Sequence, residues 1–331
     1  MAKAHSHDHD DHGHDHHHGH GHGHGHGHGH SHGHGHGHGH GHSHAPPDDW
    51  RYALGVGLNL AFVVVEAIAG LIAHSTALLA DAGHNLSDVL GLALAGGAAW
   101  LARRPAGGRR TYGYAKATVL AALANALFLI FACGGIVWEA VRRFGEPEAI
   151  KPGLVMAVAA AGVVVNTATA LMFVAGRKND VNIRGAFLHM AADAAVSAGV
   201  IVAGLVIALT GWDWVDPATS LVIVAIIFIG TWGLLRESVN LALDAAPAGV
   251  DLKRLQTYLE GGDGVVEVHD LHVWAMSTTK TALTVHIVRP DGADDEAYRQ
   301  EVLGVLRDEF GVGHATLQIE RARDEHHCQP H

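Results

Sequence analysis

Six long apolar stretches constrain this chain more than any other feature. They run over roughly 51–73, 79–102, 115–143, 153–176, 186–209 and 214–236. Each reaches the ~20 residues a helix needs to cross a ~30 Å hydrocarbon core. Backbone groups inside lipid must satisfy one another, so each stretch is expected to be a helix. Buried helices of a large soluble protein would need more polar surface than these stretches carry. Only 17% of the 331 residues are charged, against about 25% in ordinary soluble domains. A single soluble globular domain is therefore excluded. The formal net charge of −11 repels a phosphate backbone and excludes nucleic acid as a partner. Two cysteines, Cys133 and Cys328, are too few for a disulfide framework.

The remaining sequence divides around the apolar body. Residues 1–49 form a polar, low-complexity tail with no apolar signal-peptide core and are expected to be disordered. Of the 31 histidines, 21 lie between His5 and His44. Residues 50–240 are the membrane domain. Residues 241–322 return to ordinary soluble sequence, and 323–331 form a flexible tail containing His326, His327 and Cys328. In the soluble part, periodicity predicts a helix over 251–260, strands over 265–276 and 281–288, a helix over 294–310 and a strand over 315–320. That αββαβ order suggests a small α+β domain with its helices on one sheet face. Strict alternation would set His269 and Asp270 on opposite sides of their strand.

Charge sets the expected orientation. The loops after the second and fourth spans hold Arg103, Arg104, Arg109, Arg110, Lys116, Arg177, Lys178 and Arg184. The opposite side holds Arg142, Arg143 and Lys151. Both termini are then cytoplasmic.

Ionisable groups inside a membrane are expensive, so each is a candidate for function. The second span carries His84 and Asp88, and the fifth carries His189 and Asp193. A spacing of four places each pair on one helix face. Two such faces brought together supply two imidazoles and two carboxylates, a set suited to tetrahedral zinc. Cobalt, nickel and cadmium also accept such donors, and imidazole disfavours magnesium and calcium. Glu66 reads as a packing or gating residue, with proton carriage as the alternative. Asp81 either lines an access path or caps the second span. Asn59 and Asn166 read as interhelical hydrogen-bond partners, and Gly91, Gly96 and Gly97 as points of close helix packing.

These residues resemble a known family. The run from Glu66 to Asp88 (EAIAGLIAHSTALLADAGHNLSD) is similar to the first two membrane helices of the cation diffusion facilitators. So are Tyr112-Gly-Tyr-Ala-Lys-Ala, the His189/Asp193 pair, and Val268-His-Asp-Leu-His-Val-Trp274. The likeness covers about 50–322 and points to the zinc branch, with histidine in the second span. It implies an α-helical membrane protein of six transmembrane helices with a ferredoxin-like cytoplasmic domain. It further implies a homodimer that exports zinc from the cytoplasm in exchange for protons. His84, Asp88, His189 and Asp193 match the family's transport-site positions. Lys116 and Asp244 match a charge interlock at the dimer interface. His269, His286 and Glu320 match cytoplasmic metal ligands, with zinc there as a regulatory ligand. His272 reads as structural beside Trp274, and His314 stays open between the two roles. Cys328 offers a soft ligand from the tail. Two departures stand out. Thr118 replaces a common glutamate, and the 103–116 loop lacks the histidine of some members' extra metal site.

The expectation is a secondary active zinc exporter, not an enzyme, with metal and protons competing for one His2Asp2 site. It needs no resident cofactor. It sits in membrane lipid, with a bacterial inner membrane as the expected host. The alternative is a membrane-anchored zinc sensor or storage protein without flux.

Overall fold

The computed structural model describes residues 50–146, 148–173, 181–292 and 294–323. Cys328, the 1–49 tail, Arg177 and Lys178 fall outside them. The membrane domain consists of α1 (Trp50–Ala73), α2 (Thr76–Ala102), α3 (Ala117–Gly145), α4 (Pro152–Phe173), α5 (Val181–Thr210) and α6 (Val215–Ala242). Helices α2 to α6 are each long and apolar enough to span a bilayer, and α1 has 24 residues with an apolar Gly57–Ala73 stretch. The surface is inverted relative to a soluble protein. Phe131, Trp138, Leu209 and Ile229 are each at least 75% exposed, whereas Glu66, Asp81, Asn85, Ser197 and Asp216 are at most 1% exposed. Apolar side chains facing outward and polar ones facing inward describe a multi-pass membrane protein.

Small residues let the helices approach closely. Ala73, Ala77, Leu78 and Ala80 share one core with Val155, Ala159, Val200 and Ile227. Gly91 is a point of close packing, since a Cβ there would meet Asn125 Nδ2 at 2.9 Å. Gly96 and Gly97 are not, because nothing lies within 4 Å of a Cβ at either. Buried Asn59 Oδ1 and Asn166 Nδ2 have no hydrogen-bond partner among the described residues, so neither atom supplies the expected interhelical bond.

The start of α2 is fixed from the far end of the sequence. Ser75 caps the helix by accepting from Leu78 N at 3.2 Å. Asp216, in the first turn of α6, accepts from Ser75 Oγ (2.5 Å), Thr76 N (2.6 Å), Thr76 Oγ1 (2.8 Å) and Ala77 N (3.4 Å). A carboxylate therefore occupies the positive end of the α2 dipole. Asp81 is not the cap; it lies a turn further in and accepts from Ser197 Oγ at 3.0 Å. The α3–α4 loop explains how Arg142 and Arg143 sit opposite most of the other basic residues. Glu139, Glu146 and Glu148 pair with them, and Arg143 also donates to the His74 carbonyl. Their charge is largely neutralised where it stands.

The soluble part contains α7 (Leu252–Glu260), β1 (Glu267–Ala275), β2 (Thr281–Val288), α8 (Asp295–Asp308) and β3 (Val312–Glu320). Asp251 and Asp294 cap the two helices. Strands β1 and β2 pair antiparallel and β2 and β3 parallel, in the order β1-β2-β3. A parallel neighbour requires a crossover, which α8 provides. Leu255, Leu259, Tyr298, Val302 and Leu306 cover Leu283, Val285 and Ile287 in one core. Strand β3 begins at Val312, earlier than its apolar pattern suggests, because Gly313 interrupts that pattern after buried Val312.

Strict alternation fails in β1. A bulge lies between His269, opposite His286, and His272, opposite Thr284. Asp270 takes a positive φ of 52° there. The extra residue lets Val268 and Leu271, three apart, both pack against the core. Asp270 consequently turns toward the histidines and does not face away from them.

The two parts meet at the start of α3. Lys116 pairs with Asp244, whose φ is 61°, and donates to the Ala275 carbonyl at 3.0 Å. Thr118 Oγ1 accepts from Thr278 N at 3.1 Å. Thr118 thus holds the β1–β2 turn. His314 stacks edge-on against Tyr112, with ring centroids 5.8 Å apart.

Candidate metal centre

Helices α2 and α5 bring together the four side chains singled out from their spacing. His189 Nε2 lies 3.1 Å from Asp88 Oδ2 and 3.7 Å from Asp193 Oδ2. His84 Nε2 lies 3.5 Å from Asp193 Oδ1 and 3.7 Å from Asp88 Oδ2. The imidazoles stand edge to face, 5.9 Å apart at 81°. Each nitrogen faces both carboxylates, one from its own helix and one from the other. Bonds of about 2.0–2.1 Å to a tetrahedral zinc would set neighbouring ligand atoms about 3.3 Å apart. The four N···O separations bracket that edge length.

The set is uneven in detail. Ligand atoms of His84, Asp88 and His189 lie within 4.8 Å of one another. Asp193 is the most buried of the four, at 3% side-chain exposure, and offers a different oxygen to each histidine. His84 Nδ1 is buried without a hydrogen-bond partner among the described residues. Two further polar residues that spacing did not reveal stand nearby. Asn85 Nδ2 donates to Glu66 Oε2 at 3.2 Å, and Ser197 binds Asp81 as described above. Asn85 directly follows a candidate ligand, which was the one available signal.

A second group lies on the sheet face turned away from the helices. His269 Nε2 is 3.2 Å from Glu320 Oε2, and His286 Nδ1 is 3.0 Å from Glu320 Oε1. The two rings are 5.1 Å apart. One ligand atom from each residue falls within 4.8 Å of the others. Direct cross-strand pairing places His269 beside His286, and the parallel strand carries Glu320 alongside them. Burial pushes the Glu320 carboxyl up, but hydrogen bonds from Gln318 and His269 and the charge of His286 outweigh it. The carboxyl is held below the usual glutamate value. His269 Nδ1 is buried and lacks a partner among the described residues. This donor set, two imidazoles and one carboxylate, fits zinc. Asp270 Oδ2 sits 3.8 Å from His286 Nε2, while Asp270 Oδ1 contacts His272 Nε2 at 3.0 Å. His272 is thus an exposed partner of Asp270.

Comparison with known protein families matches residues 53–241 to the cation efflux transmembrane domain. The chain belongs to the cation efflux family. Residues 247–322 match the cytoplasmic domain of cation efflux proteins. Members of this family are transporters, not enzymes. The chain is 36% identical over 270 residues to the cation efflux system protein CzcD of Alcaligenes sp., covering 81% of this chain and 85% of the relative. It is 36% identical over 272 residues to the zinc transporter ZitB of Escherichia coli, covering 82% and 87%. It is 33% identical over 281 residues to the cadmium, cobalt and zinc/H(+)-K(+) antiporter of Bacillus subtilis, covering 81% and 89%. The resemblance noted from the motifs and the family match coincide over the membrane and soluble domains.

Proposed function

We propose that this cation efflux protein is a secondary active transporter that carries zinc out of the cytoplasm in exchange for protons. His84, Asp88, His189 and Asp193 form the transport site. The observation that carries this reading is the set of N···O separations, 3.1 to 3.7 Å, across two helices inside a membrane domain. The names of the relatives support the cargo, with cadmium and cobalt as further ions the same donors accept.

Chemistry links the two fluxes. Zinc binds unprotonated imidazole and carboxylate, so metal and protons compete for the same atoms. Two carboxylates held together in a dry interior need a compensating charge, from either zinc or protons. The site fills with zinc while open to the cytoplasm, and protons from the far side displace it after the helices rock. Both termini are cytoplasmic and the host is a bacterial inner membrane, in keeping with the basic loops. The protein works as a homodimer, and the Lys116–Asp244 pair braces the junction beside the partner copy.

The test is flux. Purified protein in sealed liposomes should move zinc and protons in opposite directions, with neither flux sustained without the other. Zinc uptake indifferent to a pH gradient would leave a channel. Zinc binding with no flux would leave a sensor or store.

The cytoplasmic trio is proposed as a regulatory zinc site. In a chain lacking residues 1–44, His286→Ala should lower bound zinc by about one ion per chain. Zinc transport should persist, with altered dependence on zinc concentration. Atomic absorption on the purified variant gives the count, and an unchanged count would remove the site.

A further inference from the structure

A second buried polar group beside the metal quartet has no part in the exchange described above. Glu66 of α1 and Asp81 of α2 are both fully buried, and Asn85, which contacts Glu66, lies one turn after Asp81 on the same face of α2. Asn85 donates to Glu66 Oε2 at 3.2 Å and Ser197 of α5 to Asp81 Oδ2 at 3.0 Å. Glu66 Oε1, Asp81 Oδ1 and Asn85 Oδ1 are buried without a hydrogen-bond partner among the described residues. The pocket therefore has more acceptor oxygens than donors. Two carboxylates buried together with too few donors are costly, and one retained proton supplies a missing donor.

The pocket lies close to the quartet. Asp81 is three residues before His84, about 4.5 Å along the helix axis. The charged groups that bear on the pair are His84 on α2 and Asp193 on α5, both quartet members. Helix α4, packed against α1, has no ionisable residue among its 22. On α6, Asp216 is committed to the start of α2, and on α3, Glu139, Arg142 and Arg143 pair around the α3–α4 loop.

We propose that Glu66 and Asp81 hold one exchangeable proton whose release is tied to metal entry at the quartet. This rests on the metal–proton exchange proposed above. A divalent cation that replaces a single proton at the quartet adds one positive charge beside the pair. That charge favours ionisation of the second carboxyl, and its O–H proton passes to water. One doubly charged cation is then balanced by two protons, one from the quartet and one from the pair. When the metal leaves, a proton returns to the pair.

The experiment counts protons released when zinc is added to the full-length chain in weakly buffered detergent solution with a pH indicator. The contribution of the His-rich tail cancels between variant and wild type. Glu66→Gln and Asp81→Asn should each lower the count by about one. Zinc affinity should stay near the wild-type value, and the pH dependence of transport in liposomes should flatten. Glu66→Asp keeps a carboxyl and should keep the count. An unchanged count in both neutral variants overturns the proposal. Loss of zinc binding in both overturns it as well, by making the pair part of the metal site. Zinc flux through the wild-type chain in liposomes with no counterflow of protons would overturn the exchange reading itself, and the pair with it.

Discussion

Asp193→Ala is expected to stop zinc transport, and Asp88→Ala to do the same. Asp193 is almost completely buried and approaches both histidines, 3.5 Å from one and 3.7 Å from the other. In the proposed transport site, removing it takes away one of four ligands and half of the negative charge that would balance the metal. Losing only an outer-shell partner of a metal typically costs about 10–100-fold in affinity or activity. Loss of a direct ligand should exceed that, leaving flux at the level of empty liposomes. Asp193→Asn separates charge from shape. It keeps an oxygen in place, so partial zinc binding with lost proton coupling is expected. Flux is read with a zinc-sensitive dye inside proteoliposomes. Near-normal rates in both alanine variants would place the transport site elsewhere.

Asp216→Ala acts on stability, far along the sequence from the site. It strips the acceptor from two backbone N–H groups and two hydroxyls at the buried start of α2. Leaving buried donors unsatisfied costs about 1–3 kcal/mol each, so a loss of at least about 3 kcal/mol is expected. For a chain of this size the melting midpoint in detergent should fall by roughly 5–10 °C. Asp216→Asn retains an acceptor and should fall between. Ser75→Ala removes one donor and the cap oxygen, and should cost about 1 kcal/mol. Light-scattering-detected thermal unfolding compares the four proteins. A wild-type midpoint for Asp216→Ala would mean that water serves that helix end equally well.

Much of this was legible from residue order. Apolar length sets the spans, and four-residue spacing pairs His84 with Asp88 and His189 with Asp193. The αββαβ order of the soluble part follows from its periodicity. Periodicity is a local signal, however, and three features lie beyond its reach. The Asp216–Ser75 contact joins residues 141 apart. The bulge at Asp270 breaks the two-residue repeat by which its facing was inferred. Glu66 and Asp81 each read as a separate option, because only the packing of α1 on α2 reveals them as one group. Residue type likewise conceals that, of Gly91, Gly96 and Gly97, Gly91 alone faces a neighbouring side chain.

The fastening of α2 by Asp216 has a mechanical consequence. A stiff rod held at one end moves as a lever, and displacement grows with distance from the pivot. At 1.5 Å per residue, His84 stands about 12 Å from Thr76 and Asp88 about 18 Å. Any tilt of α2 about that fixed end therefore carries the Asp88 backbone half again as far as that of His84. The carboxylate end of the pair is the one with the greater reach, and a tilt away from α5 would part it by the larger distance.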